Sequence, residues 1–100
     1  MKYEMMIVLT DEFNNTELKI WAFNFGKLLK KLKALDISVI SRGKRNLSYS
    51  IKNKNRGNFI QVNFGILPDY LKQLSKDLNL DSNVLRFLIF NVNDKKNFKY

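Results

Sequence analysis

Between Lys2 and Leu9 apolar side chains fall on both alternating sets of positions: Met5, Ile7 and Leu9 on one side, and Met6 and Val8 beside Glu4 on the other. Apolar residues on both sides predict a central strand of a sheet. The period then lengthens. Leu18, Trp21, Ala22, Phe25, Leu28, Leu29 and Leu32 recur at helical spacing and form one stripe. Ahead of them Asn14 stands three residues before Glu17, the spacing of a capping box, so a helix is expected from about Thr16 to Leu32. At about 1.5–3 kcal/mol for each large side chain buried, that stripe is expected to be a main source of core stability. Gly26 interrupts it, at a cost of about 1 kcal/mol relative to Ala.

Alternation resumes after Ile37. Leu47, Tyr49 and Ile51 interleave with Ser48, Ser50 and Lys52, then a polar stretch from Asn53 to Gly57 leads into a second alternating run through Phe64. This predicts a long hairpin over 37–66 with its turn at Asn53–Gly57. Pro68 and Asp69 suit the first turn of a second helix, whose apolar positions Leu71, Leu74 and Leu78 carry it to about Asn79. Asp81, Ser82 and Asn83 read as a turn. Val84 to Val92 follows as a last strand, with Phe87 and Ile89 facing one way and Arg86, Leu88 and Phe90 the other.

The order β-α-β-β-α-β predicts an α+β fold of the ferredoxin-like kind, a four-stranded antiparallel sheet with two helices on one face. The other face is left for a partner. One domain over 1–92 and a flexible basic tail over 93–100 are expected.

Charge sharpens this picture. The net charge is +9, and no acid occurs between Asp36 and Asp69, where Arg42, Lys44, Arg45, Lys52, Lys54 and Arg56 all fall. Clustered cations without acids favour a polyanion, and their place on a hairpin rather than an amphipathic helix favours nucleic acid over a membrane. Lys19, Lys27, Lys30 and Lys31 lie on the far side of the first helix with Ile20 and Phe23. A solvated lysine face is the default there, although apolar residues among lysines leave room for a contact. Cysteine and histidine are absent, which removes thiolate metal sites, the usual metal ligand and the usual general base. No catalytic residue, metal, cofactor or small-molecule substrate is expected, and the short apolar run near the start fits neither a signal peptide nor a membrane span.

The ordered set of Tyr3-Glu4, Gly43-Lys44-Arg45, Leu47-Ser48-Tyr49, Gly57 with Phe59, Pro68, and Asp81-Ser82-Asn83-Val84-Leu85-Arg86 resembles the bacterial and plastid family of small ribosomal subunit protein six over about residues 2–92. The resemblance implies a structural, non-enzymatic role in the platform of the small ribosomal subunit. There the family binds the central domain of the small-subunit rRNA together with small-subunit protein eighteen. The implied location is a ribosome of the plastid stroma or bacterial cytoplasm, and the bias toward Asn, Lys, Ile and Phe suits such an AT-rich source. Ser50 departs from the proline usual in the family.

On these grounds Lys2, Tyr3, Arg42, Lys44, Arg45, Lys52, Lys54, Arg56 and Arg86 are candidate RNA contacts. Leu47, Tyr49, Ile51, Phe59 and Leu88 are candidate contacts to the protein partner.

Two other readings of the same topology are weaker. Arg56-Gly57 followed by Phe59 and Phe64 resembles the third-strand signature of a stand-alone RNA-recognition-motif module, but Asn58 stands where the first aromatic belongs. An acylphosphatase-like enzyme needs a phosphate-cradling loop after the first strand, and there Asp11 and Glu12 would repel phosphate.

Overall fold

The computed structural model describes residues 1–92, so the basic tail expected over 93–100 lies outside the described residues. The elements are β1 (Lys2–Thr10), α1 (Asn15–Lys31), β2 (Leu35–Ile51), β3 (Lys54–Gly65), α2 (Pro68–Leu80) and β4 (Val84–Asn91). The strands form one sheet in the order β2-β3-β1-β4, with every neighbouring pair antiparallel. This is the ferredoxin-like arrangement, and β1 is a central strand as its two apolar sides require.

One face of the sheet carries the core. Met5, Ile7 and Leu9 of β1 lie opposite Val62, Ile60 and Asn58 of β3, and Met5 and Ile7 lie opposite Ile89 and Phe87 of β4. Onto this layer pack Phe25 and Leu29 from α1 and Leu74 and Leu78 from α2. The helix ends follow local chemistry. Asn14 Oδ1 accepts from Glu17 N at 2.8 Å while Glu17 Oε1 accepts from Asn14 N at 2.9 Å, completing the capping box. At the other end Lys33 takes a positive φ of 65°, and Ala34 N donates to Leu29 O while Lys33 N donates to Lys30 O, the Schellman arrangement built without glycine. Trp21 Nε1 donates to Asp81 Oδ2 at 2.9 Å, tying α1 to the end of α2.

Two sequence expectations need correcting. Tyr3, a candidate RNA contact, is a core residue: it is 6% exposed, its ring lies 6.1 Å from that of Phe64, and Val8 and Met6 rather than Tyr3 occupy the free side of β1. An odd-numbered position on β1 shares the side of Met5 and Ile7, which the helices cover. The hairpin turn also lies elsewhere. It consists of Lys52 and Asn53, both at positive φ (51° and 65°), between the paired residues Ile51 and Lys54, as in a two-residue type I′ turn.

Gly57 therefore sits inside β3, opposite Thr10 and Arg45, and not in the turn. A Cβ there would meet Val8 Cγ1 at 2.5 Å and Leu9 O at 3.1 Å. Gly57→Ala is expected to lower the unfolding free energy by about 1–3 kcal/mol through overpacking. At Gly26 a Cβ meets nothing within 4 Å, so Gly26→Ala is expected to raise it by about 1 kcal/mol through helix propensity. Urea midpoints that shift in opposite directions for the two variants would verify this pair of readings; a shift in the same direction would contradict one of them.

Candidate nucleic-acid and partner interface

The pairing of β2 with β3 runs, with shifts between Leu35 and Ser38 and between Ser41 and Gly43, as far as Asn46 and Arg56, then skips to Ile51 and Lys54. Leu47, Ser48, Tyr49 and Ser50 are thereby extruded from the ladder, with no counterpart on β3. Ser50 belongs to this segment, so no ladder position depends on it. An earlier irregularity between Ser41 and Gly43 places Gly43 at φ 84°, a conformation glycine adopts at no steric cost. Such bulges bend and twist a hairpin.

The bent arm closes over the face of the sheet opposite the helices. Lys52 Nζ donates to the Val84 carbonyl at 3.0 Å, and Arg86 Nη1 lies 3.4 Å from the Tyr49 hydroxyl. Lys54 Nζ donates to Glu12 Oε2 and lies 3.5 Å from Asp11 Oδ1, which fastens the base of the turn to the β1–α1 loop. The hydrogen bond to Glu12 holds the Lys54 pKa above its usual value, and the charge of Asp11 adds to the effect. Lys52 and Lys54, counted from the sequence among the RNA contacts, thus each commit a donor to holding the arm.

Beneath the arm is a groove of about 250 Å³, lined by Met6 and Val8 of β1, Phe59 of β3, Leu88 and Arg86 of β4, and Asn46 to Tyr49 and Ile51 of the arm. Leu47, Ile51 and Phe59 are half-buried in it, whereas Leu88 is 44% and Tyr49 66% exposed. All five candidate partner contacts therefore converge on one apolar groove. Apolar surface of this kind with a polar rim is typical of an interaction site.

Cations supply the rim unevenly. Arg45 places its guanidinium 5.8 Å from the Phe59 ring centroid, a cation–π approach, and Arg42 donates from Nε and Nη2 to Gln61 Oε1 at 3.0 and 2.6 Å. With Arg86 they belong to the groove side of the sheet. Strand alternation sends Lys44 and Arg56 to the reverse side of the arm, since Lys44 lies opposite the buried Asn58 and Arg56 precedes Gly57. Lys2 pairs with Gly65 at the end of the sheet remote from the arm. Sequence reasoning missed Met6 and Val8 as groove lining. Their position opposite the covered side of β1 was the available signal.

The arrangement offers apolar docking and phosphate neutralisation. Among the described residues no group of carboxylates could hold a metal, and no helix is long and apolar enough to cross a membrane.

The family model described as Ribosomal protein S6 matches residues 2–91. The chain is 66% identical over 90 residues to the small ribosomal subunit protein bS6c of Trieres chinensis, covering 90% of this chain and 94% of that protein. It is 34% identical over 86 residues to the small ribosomal subunit protein bS6 of a Picosynechococcus species, covering 86% of this chain and 75% of that protein. In fold it resembles the crystal structure of the 30S ribosomal protein S6 of Thermotoga maritima with a TM-score of 0.84, at 21% identity, over 95% of this chain and 91% of that one. The relatives are structural proteins of plastid and bacterial ribosomes and not enzymes, and the chain belongs with them to the Ribosomal protein S6 family of the small ribosomal subunit.

Proposed function

We propose that the chain binds the central domain of the small-subunit rRNA through its basic arm while its groove receives small-subunit protein eighteen, in a ribosome of the plastid stroma or bacterial cytoplasm. The observation that carries this reading is the apolar groove of Met6, Val8, Leu47, Ile51, Phe59 and Leu88 edged by Arg45 and Arg86. Its floor suits an apolar protein segment, and its edge suits phosphates. Arg42, Lys44, Arg45 and Arg56 neutralise phosphates, and the function is positioning rather than chemistry. Tyr49, whose hydroxyl lies near Arg86, is exposed and so available to either partner.

The test is binding to a central-domain rRNA transcript across a salt series, with and without small-subunit protein eighteen. Tight, salt-dependent binding that requires the second protein is expected. Equal binding without it would favour an independent RNA-binding module, and absence of binding in both conditions would overturn the RNA assignment.

A further inference from the structure

A second acid-free stretch runs from Leu18 to Leu35 and holds Lys19, Lys27, Lys30, Lys31 and Lys33. Except for Lys33, which follows the helix, these lysines lie on α1 and all five are exposed. The i, i+4 spacing of Lys19, Phe23 and Lys27 puts them on one line along the helix, and Lys30 and Lys31 continue it. The middle of the line is aromatic. Phe23 is 68% exposed, beside Ile20 at 56%, and Lys27 Nζ lies 5.4 Å from the centroid of its ring.

Helix-dipole compensation accounts for Lys30 and Lys31 in the last turn. It does not reach Lys19 or Lys27. Nor does core packing account for Phe23, since the buried side of the helix is supplied by Phe25 and Leu29. Of the two acids that flank the stretch, Glu17 is held in the capping box at the start of the helix and Asp36 lies beyond it on β2.

We propose that the outer face of α1 is a second RNA contact, with Lys19, Lys27, Lys30 and Lys31 neutralising phosphates and Phe23 stacking on an unpaired base. The inference rests on the RNA-binding reading given above. Lysines surrounding one exposed aromatic ring match the needs of single-stranded RNA, whose backbone is anionic and whose splayed bases offer π-faces. Because α1 covers the side of the sheet opposite the groove, the protein stands between two RNA segments. The arm and the helix then make separate contributions to affinity.

The test is binding of the full chain, together with small-subunit protein eighteen, to the central-domain transcript over a salt series. Three sets of variants are compared: Lys19→Ala with Lys27→Ala, Lys30→Ala and Lys31→Ala; Phe23→Ala and Phe23→Tyr; and the arm variant Lys44→Ala with Arg45→Ala. The four-lysine variant is expected to lower the slope of log affinity against log salt by about 2.8–3.6, at roughly 0.7–0.9 for each phosphate. Phe23→Ala is expected to weaken binding about five- to 150-fold, the loss of one stacked base, while Phe23→Tyr keeps wild-type affinity. Far-UV circular dichroism verifies that each variant is folded, and Ala is a better helix former than Lys.

A slope that falls for the arm variant but not for the helix variant overturns this inference and leaves the RNA reading standing. A slope that falls for neither overturns both. Weaker complex formation at an unchanged slope assigns the face to an acidic protein surface and likewise overturns it.

Discussion

Leu29→Ala is expected to lower the unfolding free energy by about 2–5 kcal/mol. Leu29 is 0% exposed and comes from the inner side of α1, where it belongs to the same cluster as Phe25, Met5, Ile7 and Val62. Truncation removes the transfer energy of the lost carbons and leaves a cavity between helix and sheet, which a packed interior cannot fully close. Since a domain of this size is stable by about 5–15 kcal/mol, the change removes a large share of the total. Phe23→Ala on the outer side of the same helix is expected to stay within about 0.5 kcal/mol of the parent. Urea unfolding followed by circular dichroism measures both. Superimposable curves for Leu29→Ala and the parent would mean that α1 does not pack as described.

Lys44→Ala combined with Arg45→Ala is expected to reduce the salt slope of RNA binding by about 1.4–1.8, at roughly 0.7–0.9 for each phosphate lost. Between 50 and 200 mM salt a slope difference of about 1.5 alters the affinity ratio of parent to variant by about eightfold. Both residues are exposed on the arm, on opposite sides of it, so the single variants report how the loss divides between the two sides. Neither packs in the core, and the unfolding transition is expected to remain in place. The same loss of charge at Lys72 and Lys76, exposed on α2, is expected to leave the slope unaltered and so controls for net charge. An equal reduction by both pairs would show that bulk charge, and not the arm, sets the salt dependence.

The two effects separate because the chain builds stability and recognition from different faces of the same sheet. The side of Met5 and Ile7 is sealed by α1 and α2, whereas the side of Met6 and Val8 is covered only by the arm. The arm is fastened through Lys52, Lys54 and the Tyr49–Arg86 contact, so its mobile, long-chain cations are fewer than the sequence suggests. Long charged side chains lose rotamer freedom when they are held in this way, and the arm gains a fixed position over the groove.

The sequence by itself determined the element order, the central place of β1, the capping box at Asn14 and Glu17, and the start of α2 at Pro68. Each of these is encoded locally, by the period of apolar residues or by a cap whose partners lie within one turn. It also showed where the charge lies, because the acid-free stretch needs no structure to be seen.

Only the tertiary structure decided what each cation does. Lys54 meets Glu12 across 42 residues, Lys52 meets Val84 across 32, and Arg86 meets Tyr49 across 37, pairings that no short-range spacing announces. The burial of Tyr3 follows from which side of β1 the helices cover, and the place of Gly57 follows from the register set by a turn of two non-glycine residues at positive φ. Register and the covered face are properties of strand pairing and layer packing, and a one-residue difference in either exchanges core for surface.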